Sequence, residues 1–169
     1  MRQLALLLGS YLTAISLLPN QPSLAQNSSI PEPSQAPLNL SLLTNPTGSV
    51  VTANTINQSS LTVPSLWWAK ENFDNNVLDN WIAYPASETE PGRVDLIVNQ
   101  QVWSSLDYIQ RYDFINRLGT TARSYGYNTR VFNYQQDRLA TYTCNFNTTP
   151  SSCSIDMNVQ NKLGLERAL

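Results

Sequence analysis

Histidine is absent from all 169 residues, and only two cysteines are present. Ser-His-Asp and Cys-His catalysis and any histidine-ligated metal site are therefore excluded, and two cysteines cannot build a four-thiolate zinc centre. Charge is also scarce: 13% of residues, ten basic against twelve acidic, with formal net charge −2. The basic residues stand singly from Lys70 to Arg167, without the clustered patch that phosphate backbones require, so no nucleic-acid partner is expected. No Gly-x-Gly-x-x-Gly, phosphate loop, Ser-x-x-Lys, Gly-x-Ser-x-Gly, Asp-rich calcium loop or internal repeat occurs. No cofactor is implied, and no stretch beyond residue 25 is apolar enough to span a bilayer.

Residues 1–25 have the layout of a secretory signal. Arg2 opens it, Leu4 to Leu18 is apolar, and Ser23-Leu24-Ala25 places small residues before a cut after Ala25. The alternative, an uncleaved anchor, needs about 20 apolar residues, and Pro19 and Pro22 interrupt the run before that. An exported chain meets an oxidising compartment, so Cys144 and Cys153 are expected to form a disulfide. A redox-active pair is the other reading, but it favours a two-residue gap.

Composition divides the remainder near residue 61. Between 26 and 60, 23 of 35 residues are Ser, Thr, Asn, Gln or Pro, Glu32 alone is charged and no aromatic occurs. Such a segment buries little apolar surface against its ordering entropy, and it is expected to be a disordered tether. Its short apolar patches, Leu38 to Leu43 and Val50-Val51, are expected to dock at most transiently. Fifteen of the sixteen aromatics fall between Trp67 and Phe146, which places a single globular domain over 61–169.

Periodicity within that domain predicts a short N-terminal helix over 64–73 and a strand over 77–84. Val94, Leu96 and Val98 share one face of the next strand, 93–98, and place Asp95 on its outward face. Asn99 caps a long central helix from Gln100 to Leu118, resuming past Gly119 to Tyr125, with Gly126 in the left-handed conformation that ends it. Val102, Leu106 and Ile109 lie on one side of this helix and Tyr108, Tyr112, Ile115, Leu118 and Ala122 on another, so two covered faces are expected. Asp107 with Arg111, and Asp113 with Arg117, have the spacing of helical ion pairs. Strands then follow over 129–134 and 138–144, joined by Gln135-Gln136-Asp137, and a last one over 153–159. Ala140, Tyr142 and Cys144 share a face, as do Cys153, Ile155, Met157 and Val159; pairing the cysteines turns both apolar faces the same way. The sum is an α+β domain: an antiparallel sheet, a long central helix, a short N-terminal helix and one disulfide-stapled strand pair.

Two groups invite function. Adjacent Trp67 and Trp68 point about 100° apart on a helix, so both cannot face one core. They are the candidate binding residues for a protein or a glycan, unless a neighbouring loop buries the second. Glycoside cleavage needs only paired carboxyl groups, and Asp79 with Asp95 are the candidate pair for a histidine-free polysaccharide hydrolase or lyase. Against catalysis stands the ordinary role of strand and loop carboxylates as solvated charges.

Pro64-Ser65-Leu66-Trp67-Trp68-Ala69-Lys70-Glu71, Leu78-Asp79-Asn80-Trp81-Ile82-Ala83-Tyr84-Pro85, Arg93 to Asn99, Tyr125 to Phe132 and Leu139 to Cys144 together resemble a family of small exported cyanobacterial proteins with no assigned function. The resemblance covers about residues 64–155. It implies a periplasmic or thylakoid-lumen location and brings no catalytic or binding residue. The expectation is an exported, non-enzymatic module that binds a protein or glycan of the envelope.

Overall fold

The computed structural model describes residues 29–55, Leu66, Glu71 and residues 76–158. The signal and its cut at Ala25, the boundary near residue 61 and the Trp67-Trp68 pair lie outside them. Of the helix expected over 64–73, Leu66 and Glu71 are described; both are helical, and Leu66 is buried.

The described fold is α+β, a six-stranded sheet in the order β1 to β6. The strands are β1 (Val51–Thr52), β2 (Leu78–Tyr84), β3 (Gly92–Val98), β4 (Tyr127–Phe132), β5 (Arg138–Asn145) and β6 (Ser152–Met157). All neighbours pair antiparallel except β3 and β4, which run parallel. The expected antiparallel sheet is thus a mixed one. A parallel neighbour requires a crossover, which two helices supply: α1 (Gln100–Ser105) and α2 (Tyr108–Arg123).

The long central helix is broken at Leu106-Asp107. Asn99 caps α1 as expected, its Oδ1 accepting from the amides of Gln101 at 3.0 Å and Val102 at 3.1 Å. Asp107 then caps α2: its carboxylate accepts from the Gln110 amide at 2.8 Å, while the Gln110 side chain accepts from the Asp107 amide at 2.9 Å. Arg111 turns back to the last carbonyls of α1, donating from Nε to Trp103 O at 3.0 Å and from Nη2 to Ser104 O at 3.2 Å. Both members of the expected Asp107–Arg111 pair therefore serve helix ends. Asp113 and Arg117 do pair, at 3.7 Å and in solvent. Gly126, at φ 83°, follows the end of α2 in the left-handed region.

One sheet face carries the main core. Trp81, Val94, Leu96, Val98, Val131, Ala140, Tyr142 and Cys144 pack there against Trp103, Phe114, Ile115, Leu118 and Ala122 of the helices. Gly119 lets α2 approach the sheet, since a Cβ there would collide with the Tyr142 ring. Among the described residues only this face of α2 is covered; Tyr108, Ile109 and Tyr112, placed by spacing on two covered faces, are exposed. The β5–β6 register is the expected one, with Ala140 opposite Met157, Tyr142 opposite Ile155 and Cys144 opposite Cys153. The cysteines form the disulfide.

The second face overturns the tether for residues 29–55. Leu38 and Leu42, the latter in a 3-10 turn at Leu40–Leu43, are buried on Ile82, Ile97 and Phe132, and Val51–Thr52 adds the edge strand β1. The polar composition conceals this because few apolar residues do the packing; the sheet supplies the remaining surface. Residues 29–43 form a strap across the face that strand alternation assigns to solvent.

Candidate functional site

Under the strap lies a buried ionic cluster. Asp95 and Arg130 are partners in the parallel β3–β4 register and project from the same face. Arg130 grips the carboxylate with a two-pronged fork, Nε to Oδ1 and Nη2 to Oδ2, both 2.8 Å. Its remaining Nη1 donates to the carbonyls of Ser34 at 2.8 Å and Ala36 at 2.6 Å, so one guanidinium ties β3, β4 and the strap. The side chains of Asp95 and Arg130 are 0% and 2% exposed. Asp95 on the outward face of a bare strand is therefore corrected: it is the buried anchor of the strap.

Arg93 is the second cation. Its Nε stands 3.4 Å from Asp95 Oδ1 without a hydrogen-bond partner, its Nη1 donates to Ser34 Oγ at 3.2 Å, and its side chain is 11% exposed. The guanidinium carbon lies 4.1 Å from the centroid of the Tyr84 ring, whose hydroxyl is buried. Burial, and secondarily the Asp95 charge, push the Tyr84 hydroxyl above its usual pKa, while Arg93 acts in the opposite sense. Beside this cluster is a cleft of about 120 Å³ between the strap and the strand ends.

Asp79 and Asp95 are not assembled as a catalytic pair. Asp95 faces Ile82 across β2–β3, whereas Asp79 is the extra residue of a bulge between Leu78, opposite Val98, and Asn80, opposite Ile97. Both Asp95 oxygens are held by Arg130, in a position no solvent reaches. Among the described residues, no group of three or more Cys, Asp or Glu side chains is arranged to hold a metal, and no helix is long and apolar enough to cross a membrane.

Tyr125 and Tyr134 are exposed singly, at the end of α2 and after β4; a group of exposed residues lies on α2, on the opposite side of the sheet from the strap. Tyr108, Ile109 and Tyr112 are 51%, 69% and 43% exposed on the first turns of α2, the two rings stacked with centroids 6.5 Å apart and planes 25° from parallel. Single exposed apolar side chains are ordinary on a protein surface, but three contiguous ones form a patch. Sequence spacing located these residues on apolar stripes. They lie between the buried Leu106 at the helix break and the buried Phe114 and Ile115 further along α2. The chain matches no family model, no curated protein and no solved structure.

Proposed function

We propose that this chain is a non-enzymatic binding module of the extracytoplasmic envelope, periplasm or thylakoid lumen, which engages a protein partner through the Tyr108–Ile109–Tyr112 surface of α2. The patch carries the reading. Stacked tyrosines offer a large contact area at small entropic cost, and the most exposed of the three, Ile109, suits a protein interface better than a sugar ring. The signal-like residues 1–25 and the disulfide support export, and the runs resembling the cyanobacterial exported family support a bacterial envelope. The engagement of Asp95 with Arg130 weighs against the alternative, a hydrolase or lyase using Asp79 and Asp95.

The test is capture from the native envelope fraction, repeated with the isolated partner. Wild type is compared with a Tyr108→Ser, Ile109→Ser, Tyr112→Ser variant, whose exposed positions leave folding within about 0.5 kcal/mol per site. Loss of the partner by the folded variant supports the reading. Retention by that variant, with loss in a folded Trp67→Ala, Trp68→Ala variant, moves the interface to the tryptophans; capture of an envelope glycan in place of a protein establishes the glycan-binding alternative.

A further inference from the structure

The cleft beside the ionic cluster has a chemistry that the binding surface on α2 does not use. Its volume of about 120 Å³ is a little below the roughly 150 Å³ of an engineered cavity that takes up benzene, space for a molecule the size of alanine or serine. Pro31 and Pro33 of the strap and Pro91 before β3 give it stiff walls. Arg93, Asn128 and Thr143 lie on the sheet side, and Glu32 and Glu90, both exposed, line it as well.

The decisive feature is charge. Two guanidiniums share the single carboxylate of Asp95, the only one within 4 Å of either among the described residues. Arg130 has taken both Asp95 oxygens at 2.8 Å and used its last nitrogen on two carbonyls. Arg93 is left with a 3.4 Å approach to an already bonded oxygen and one hydrogen bond to Ser34, while Tyr84 holds its guanidinium in place. One positive charge, almost wholly desolvated, thus borders the cleft without a full counter-ion. A planar carboxylate matches a guanidinium fork. A simple inorganic anion would place like charge against Glu32 and Glu90, whereas a ligand with an ammonium group would meet charge of opposite sign there.

We propose that this cleft binds a small amino-carboxylate zwitterion, its carboxylate on Arg93 and its ammonium toward Glu32 and Glu90. The purified protein, labelled with ¹⁵N, is titrated with L-alanine, acetate, ethylamine and inorganic phosphate while amide shifts are followed. L-Alanine is expected to produce saturable shifts at Ser34, Arg93, Asn128 and Thr143, tighter than any of the other three probes. Arg93→Gln should weaken it by at least about tenfold, equivalent to 1.4 kcal/mol, and Glu32→Gln with Glu90→Gln should lower L-alanine to the level of acetate. The proposal is overturned if L-alanine gives no saturable shift by about 10 mM, where a millimolar site is mostly filled, or if phosphate binds as tightly. It also fails if a folded Arg93→Gln protein binds L-alanine unchanged. Should Arg93→Gln not fold, the glutamate variant decides, because its changes are at exposed positions: unchanged L-alanine affinity there is a refutation.

Discussion

Replacing Asp95 by Asn examines the ionic cluster at its centre. The substitution preserves size but removes the negative charge under two buried guanidiniums, and it offers Arg130 an amide in place of one acceptor oxygen. Removing one partner from a buried ion pair costs about 3–5 kcal/mol, because the other charge stays desolvated. At about 4 °C per kcal/mol for a domain of this size, Tm should fall by about 12–20 °C. The loss should also reach the strap, since Arg130 holds the carbonyls of Ser34 and Ala36 only while its fork is oriented by Asp95. Thermal unfolding measures the first effect, and the rate of proteolytic cleavage within residues 29–43 measures the second. Asp95→Leu and Arg130→Met, measured singly and together, form a double-mutant cycle that leaves the Arg93 charge in place throughout the Asp95→Leu variants; the coupling should be about 2–3 kcal/mol. An Asp95→Asn protein within about 0.5 kcal/mol of wild type, the scatter of an ordinary surface substitution, would refute the reasoning.

Three further outcomes are expected. Gly119→Ala, which normally favours a helix by about 1 kcal/mol, should here destabilise by about 1–3 kcal/mol in denaturant unfolding, because its Cβ meets the Tyr142 ring; a gain in stability would contradict the packing of α2 on β5. Reduction of Cys144–Cys153, which closes a loop of sequence separation 9, should cost about 2.7 kcal/mol on the chain-entropy model, and an unchanged Tm would show that the β5–β6 pairing holds without the staple. Tyr84 and Tyr127 have hydroxyls pushed above the usual 10.0 mainly by burial. The folded state therefore retains those protons longer than the unfolded chain, a stability contribution intact below pH 10 and lost as pH rises through the folded pKa values. Tyr84→Phe should remove a late-titrating component from the phenolate absorbance and lessen the alkaline loss; an unchanged titration curve and an unchanged alkaline loss would contradict it.

What could be read from the chain was local. The apolar face Val94-Leu96-Val98, the Asn99 cap, the left-handed Gly126 and the Cys144–Cys153 register each depend on residues a few positions apart, and periods of two and 3.6 report them directly. The helix break was legible as well, in the capping box formed by Asp107 and Gln110, but the apolar spacing that runs through it masks the signal. The remainder depends on partners remote in sequence. Asp95 and Arg130 are 35 residues apart and meet only because β3 and β4 run parallel, which alternation within one strand does not reveal. Likewise Leu38 and Leu42 gain their burial from Ile82, Ile97 and Phe132, so the composition of residues 26–60 alone looks unable to fold. The candidate Trp67 and Trp68 fall outside the described residues, while the exposed Tyr108 and Tyr112 were visible as a stripe whose cover could not be judged without the sheet.

The central functional claim is that α2 presents the binding surface, and amide hydrogen exchange tests it most directly, comparing the protein alone and with its captured envelope partner. The account predicts new protection centred on residues 108–113, with the strap and β3 unchanged. Protection confined to the strap, or none anywhere in α2 at saturating partner, would contradict it.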